Sequence, residues 1–370
     1  MTISIQMPEL LLGEDVARQL PECLHRLRIE KPLLITDQGL VKAGHVARLL
    51  DFFASDNAPA CFDSTRENPT AHCVDQATRI FHEEHCDGVI ALGGGSVIDT
   101  AKLTAVTSTH GGAAIEYLGR SDKITNRTCP IIALPTTAGT GSEASPGAGI
   151  HPSAAEASRG INSRFIIPRL AMCDPTFTQT LPSRLVAATG LDALSHCIEG
   201  YLAIGDHPVI DTLALEGIRM INENLPRAME EKDLHSRTQM MLAAYYGGVA
   251  IGKGLGAAHS IAICCGDQDL HHGVLSALGL VATLDEIERE TADRCQSIKE
   301  ALGLDSSASL SGHMRTLMRS LGLPSSLSAA GYQMLDLEAV ANNCVQSHFN
   351  KTSRSQFQAA DYKRMLQSIS

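Results

Sequence analysis

Four side chains in the second half of the sequence have the types and spacing of a divalent-metal site. Asp192 and His196 stand four apart in Thr189-Gly190-Leu191-Asp192-Ala193-Leu194-Ser195-His196, which on a helix puts both on one face. His259 ends the small-residue stretch Gly254-Leu255-Gly256-Ala257-Ala258-His259, and His272 follows in Leu270-His271-His272-Gly273. One carboxylate and three imidazoles suit a borderline ion such as iron or zinc, and an open coordination position would make that ion a Lewis acid. The competing reading is a solvated i, i+4 pair, and with 15 histidines in the chain such a grouping also arises without a metal.

A second kind of chemistry sits in the first half. The apolar run Gly88-Val89-Ile90-Ala91-Leu92 leads into Gly93-Gly94-Gly95-Ser96-Val97-Ile98-Asp99-Thr100-Ala101-Lys102, a buried strand running through three glycines into a helix after Ser96. Glycines let backbone approach an anion, and the free amides of a first helical turn favour negative charge. Ser96 and Asp99 also have capping-box spacing, so the stretch could be only a well-capped helix start. It is neither GxGxxG nor a P-loop, since Lys102 lies inside the helix. A second loop, Leu134-Pro135-Thr136-Thr137-Ala138-Gly139-Thr140-Gly141-Ser142-Glu143, offers hydroxyl donors around another polar group.

The elements that must hold these groups change texture along the chain. Short apolar runs at 32–36, 60–62, 88–92 and 131–134 alternate with helical stretches at 46–53, 70–85 and after Ser96, the pattern of a parallel sheet covered on both faces. From about Leu185 the apolar period becomes helical. Ile210, Leu213, Ala214, Ile218, Ile221 and Leu225 form one stripe of a helix opened by Pro208, and further helices are predicted over 238–250, 274–287, 296–302, 312–321 and 335–345. The fold class is therefore an α/β N-terminal domain, 1–182, with a parallel sheet, followed by an all-α domain, 183–370. The boundary falls near Thr180-Leu181-Pro182-Ser183.

Composition narrows the partners. The chain has 370 residues, 44% of them hydrophobic, enough for two packed cores. A net charge of −11, from 41 acidic against 30 basic residues, excludes a general nucleic-acid binder and an acidic-membrane binder. The 11 cysteines are scattered without CxxC spacing and read as reduced thiols of a cytoplasmic protein. The N-terminus lacks a cationic signal region, and no apolar run reaches membrane length.

Together, GGGSVIDTAK at 93–102, LPTTAGTGSE at 134–143, TGLDALSHCIE at 189–199 and GLGAAHS at 254–260 resemble, in order and interval, the iron-containing alcohol dehydrogenase family, of dehydroquinate-synthase-like fold. The resemblance implies an N-terminal dinucleotide-binding domain, a helical C-terminal domain and a metal at the cleft between them. It would make Asp192, His196, His259 and His272 ligands of Fe2+, with Zn2+ as the alternative. Gly94, Gly95 and Ser96 would cradle the pyrophosphate. Asp99, Thr136, Thr137, Thr140, Ser142 and Leu181 would line the nicotinamide half, Asn68 would join the cofactor site, and Asp37 would approach the adenosine ribose. An acidic group there favours NAD over NADP by repelling a 2′-phosphate.

Three positions depart from the family's pattern. Members often carry a histidine four after the third ligand, where this chain has Ile263; they commonly have Pro before the last ligand, where it has His271, in a loop one residue shorter; and their Asn-Pro-Arg appears here as Asn350-Lys351-Thr352. His271 becomes the candidate replacement proton carrier. The implied function is a metal-dependent NAD(P) alcohol dehydrogenase or aldehyde reductase acting on a small alcohol or aldehyde. The alternatives are a maleylacetate-reductase-like or glycerol-dehydrogenase-like enzyme, or a nucleotide sensor without catalysis. A dehydroquinate-synthase-like lyase is disfavoured by the scarcity of basic residues around Gly254–Gly273. A homodimer through a strand at Ile3–Met7 is the expected assembly.

Overall fold

The computed structural model describes residues 4–54, 58–154, 156, 158–230, 233–268 and 270–370. The chain forms two compact units, residues 1–137 with 141–181, and residues 138–140 with 182–370.

The first unit is built on a six-stranded parallel sheet of order β1-β8-β5-β4-β2-β3, comprising β1 (Glu9–Leu12), β2 (Pro32–Ile35), β3 (Ala60–Phe62), β4 (Gly88–Gly93), β5 (Ile131–Pro135) and β8 (Leu170–Cys173). β6 (Gly147–Ile150) and β7 (Arg159–Asn162) form a separate antiparallel pair. The connecting helices are α1 (Leu20–Leu27), α2 (Gln38–Lys42), α3 (His45–Leu50), α4 (Ala71–Glu83) and α5 (Gly95–His110). Because strand side chains alternate faces, Leu34, Ile90, Leu92, Ile132 and Leu134 fill one core, and Leu33, Ile35, Val89, Ala91, Ile131 and Ala133 fill the other. The chain leaves β2 toward β3 but leaves β4 toward β5, so the sheet's switch point lies between the carboxyl ends of β2 and β4, where open α/β sheets bind ligands.

Of the expected strand at Ile3–Met7, Ile3 lies outside the described residues and residues 4–7 carry no strand; the described edge strand is Glu9–Leu12. β8 was not anticipated because Leu-Ala-Met-Cys contains no β-branched or aromatic residue to mark it.

The second unit is helical: α6 (Ser183–Leu202), α7 (Pro208–Met229), α8 (Leu234–Ile251), α9 (Ala257–Cys264), α10 (His272–Glu290), α11 (Ala292–Ala301), α12 (Leu310–Ser320), α13 (Leu327–Ala330), α14 (Leu337–Gln346), α15 (His348–Thr352) and α16 (Ala359–Ser368). Pro208 opens α7 as its spacing implied, with His207 as the cap. α6 is buried without a break from Val186 to Leu202, against α7, α8 and α10, so its polar side chains Asp192, His196 and Glu199 face protein rather than water. Among the described residues no helix is long and apolar enough to cross a membrane.

Candidate functional site

α6 presents Asp192, His196 and Glu199 at i, i+4 and i+7, one face of the helix. α9 brings His259 to that face, and α10 begins with His272. Asp192 Oδ1 lies 3.9 Å from Nε2 of His196, 3.9 Å from Nε2 of His259 and 3.9 Å from Nε2 of His272. These separations are too long for hydrogen bonds. They suit atoms sharing an ion, since bonds of about 2.1 Å at tetrahedral angles place ligand atoms ~3.4 Å apart and wider angles place them farther.

Two of the atoms, Asp192 Oδ1 and His259 Nε2, are buried without a hydrogen-bond partner. A buried carboxylate oxygen left unpaired is costly, so this donor set fits a divalent cation. Asp192, His196 and His259 are enclosed; the His272 side chain, 47% exposed, marks the open side.

The local electrostatics suit metal binding. Burial holds His196 down to about 4, against the opposing pull of Asp192; His272, although its side chain keeps an exposed side, is also lowered, by desolvation of the ring against the surrounding protein. Both imidazoles are therefore neutral lone-pair donors at neutral pH. Burial alone would raise the Asp192 carboxyl, but His196, His272 and His259 outweigh it and leave Asp192 below its ordinary value, ionised.

Glu199 completes the centre, and its role was not anticipated from the sequence. Its carboxylate accepts the Nδ1–H of His259 at 2.5 Å and the backbone N–H groups of Ala258 at 2.7 Å and His259 at 3.1 Å. The first bond fixes the tautomer that leaves Nε2 free for an ion; the other two cap α9, whose N-cap Gly256 has no side chain to do so. A Cβ on Gly256 would stand 2.8 Å from Glu199 Oε1, so only glycine admits the carboxylate. The available signal was the i+7 spacing from Asp192. Glu199→Gln is expected to weaken metal affinity about 10–100-fold, read by chelator competition; an unchanged affinity would separate Glu199 from the centre.

In the first unit, Asp37 caps α2 beyond β2, Oδ1 accepting Leu40 N–H at 2.9 Å. Gly94 is the N-cap of α5, which begins at Gly95 rather than after Ser96. The Ser96–Asp99 capping box does not form, because Asp99 Oδ2 instead accepts Gly149 N–H at 2.8 Å. Asp99 Oδ1, Thr137 Oγ1 and Thr36 Oγ1 are buried without partners near the carboxyl ends of the strands, which suits a polar ligand there. Thr136 follows β5, Ser142 is buried beyond it, and Asn68 takes a φ of 54° just ahead of α4. Leu181 N–H bonds Thr178 O at 3.1 Å, and Thr140 groups with the helical unit. Lys102, read from sequence only as too deep for a phosphate lysine, is fully buried and donates to Ser145 O at 2.9 Å, Ser145 Oγ at 3.1 Å and Gly147 O at 2.6 Å.

The departures from the family pattern also find places. Ile263 is half-buried, one turn past His259. His271 is the N-cap of α10, its Nδ1 accepting Gly273 N–H at 3.2 Å. Asn350 is structural, bonding Val345 O, Phe357 and the Tyr362 hydroxyl.

Residues 8–175 match the family described as iron-containing alcohol dehydrogenase, and residues 186–370 match the C-terminal part of the same family. A 4-hydroxybutyrate dehydrogenase of Cupriavidus necator is 38% identical over 360 residues, covering 94% of each chain. An NAD-dependent methanol dehydrogenase of Bacillus methanolicus is 32% identical over 362 residues, covering 92% of this chain and 94% of that one. The crystal structure of a 1,3-propanediol oxidoreductase superposes with a TM-score of 0.94 at 27% identity over 100% of both chains. With both halves matched and the relatives aligned along nearly its whole length, the chain belongs to the iron-containing alcohol dehydrogenase family, oxidoreductases that act on alcohols.

Proposed function

We propose that this chain interconverts a small primary alcohol and its aldehyde with iron and NAD(H), Asp192, His196, His259 and His272 holding the metal. The observation that carries the reading is the placement of three imidazole Nε2 atoms at 3.9 Å around one unpaired carboxylate oxygen. Iron held there would supply Lewis acidity toward a substrate oxygen, and a bound nicotinamide would supply the hydride donor or acceptor.

The chain's own residues do the rest. Asp192 supplies negative charge, Glu199 keeps His259 in the metal-binding tautomer, and the exposed side of His272 admits the substrate oxygen. His271 is the proposed proton carrier: with Nδ1 accepting from Gly273, its neutral form carries the proton on Nε2. Gly94, Gly95 and Ser96 offer first-turn amides to the pyrophosphate, and Asp99, Thr136, Thr137, Thr140, Ser142, Leu181 and Asn68 receive the rest of the cofactor. Asp37, at the switch point, turns a carboxylate toward the ribose and favours NAD over NADP. The open edge of β1 supports a homodimer, and the free cysteines support a cytoplasmic setting. The relative named for 4-hydroxybutyrate makes hydroxy acids one substrate class to include.

The test is oxidation of NADH and, in parallel, NADPH with a panel of short aldehydes, comparing chelator-stripped protein with protein reloaded anaerobically with Fe2+ or Zn2+. Turnover restored by Fe2+ and faster with NADH is the expected result. Equal turnover without metal would remove the ligand set from the mechanism.

A further inference from the structure

The rim of the metal centre carries a pair of side-chain donors, one of them cationic, that the reaction at the metal does not use. α15 presents His348 and Lys351 three residues apart, a spacing that puts both on one side of a helical turn. Between them, Phe349 stacks edge-on against the ligand His259, with ring centroids 5.7 Å apart, and its other neighbour is the His348 ring at 3.9 Å. His348 is thus two ring contacts from the centre, on an element anchored by the buried Asn350 and by Thr352, whose hydroxyl donates to Leu255 O at 2.8 Å.

Both side chains are exposed, and among the described residues neither has a side-chain hydrogen bond or ion pair. In the same unit Lys253, Arg294, Lys299 and Arg354 each meet a carboxylate, in a chain whose net charge is −11. Partial burial, followed by the fields of His259 and Lys351, disfavours a protonated His348, so the pair offers one neutral N–H donor and one ammonium. A carboxylate satisfies both donors; the alkyl end of a simple alcohol, whose one hydroxyl faces the metal centre, offers neither an acceptor.

We propose that His348 and Lys351 receive the carboxylate of a short ω-hydroxy acid, or of the corresponding aldehyde acid, whose oxygen at the other end is presented to the Asp192–His272 centre. This rests on the dehydrogenase reading and names its substrate class. The substrate must then come from a reaction that leaves a terminal hydroxyl or aldehyde on a short carboxylic acid.

The experiment compares the iron-loaded enzyme with His348→Phe, Lys351→Met and the double variant. His348→Phe keeps the ring packed on Phe349 and removes only the N–H. The readouts are kcat/KM for 4-hydroxybutyrate and for 1-butanol with NAD, and the thermal shift produced by butyrate, set against butyramide. The wild type is expected to prefer the hydroxy acid and to be stabilised by butyrate. The double variant is expected to lower the ratio of the two kcat/KM values by about tenfold or more, chiefly through KM, and to lose the butyrate shift. An unchanged ratio, or equal losses on both substrates, overturns the clamp and leaves the dehydrogenase reading standing. Turnover of neither alcohol, nor of their aldehydes, overturns both.

Discussion

Alanine in place of His259 is expected to empty the metal centre and lower kcat/KM by about a thousandfold or more. A metal acting as Lewis acid lowers the barrier by several kcal/mol, and every 1.36 kcal/mol is tenfold in rate. The loss goes beyond one ligand. The Asp192 oxygen stays buried with fewer compensating partners, and Glu199, whose side chain is 1% exposed, loses the imidazole it orients. A buried carboxylate deprived of its partner destabilises the surrounding fold. The α9 cap survives, because Ala258 and residue 259 keep their backbone N–H bonds to Glu199. Circular dichroism should therefore remain close to wild type while metal content by elemental analysis falls to background. A His259→Ala protein that retains stoichiometric metal would show that the three remaining ligands suffice.

How much of this was legible in the sequence depends on how local each signal is. Asp192 and His196 are four apart on one helix, so their convergence could be read directly. That His259 and His272 join them depends on α9 and α10 packing against each other and α10 against α6, which no local period encodes; the link came from motif order and interval. Glu199 shows the limit from the other side. Its i+7 position was visible, but nothing local distinguishes an outward carboxylate from one turned back to cap another helix. In the sheet, β2, β4 and β5 announced themselves through aliphatic and β-branched runs. β8 did not, because its strand character comes from pairing with β1 and β5 rather than from its own residues. The Ser96–Asp99 capping box, the alternative reading of that stretch, is not realised for a similar reason: Asp99 instead accepts from the backbone N–H of Gly149, about fifty positions away in sequence.

Gly273→Ala tests the packing that sets the ligand geometry. A Cβ at Gly273 would lie 2.2 Å from the backbone oxygen of Ala188 and 3.1 Å from Asp192 Cβ. The first contact is with the backbone of α6, buried on every side, so relief must come from displacement of the α10 start, which carries His272. Overpacking of this kind costs about 1–3 kcal/mol and sometimes more. Here the same displacement moves His272 Nε2 away from Asp192 Oδ1, so stability and metal affinity should fall together. Gly266→Ala is the matched control, since a Cβ there meets nothing within 4 Å. The expected result is a lower Tm for metal-free Gly273→Ala and faster loss of iron to a chelator, with Gly266→Ala near wild type in both. A Gly273→Ala protein as stable and as metal-retentive as the control would mean that α10 approaches α6 less closely than these distances require. The position of His272 would then have to be held by something other than this glycine.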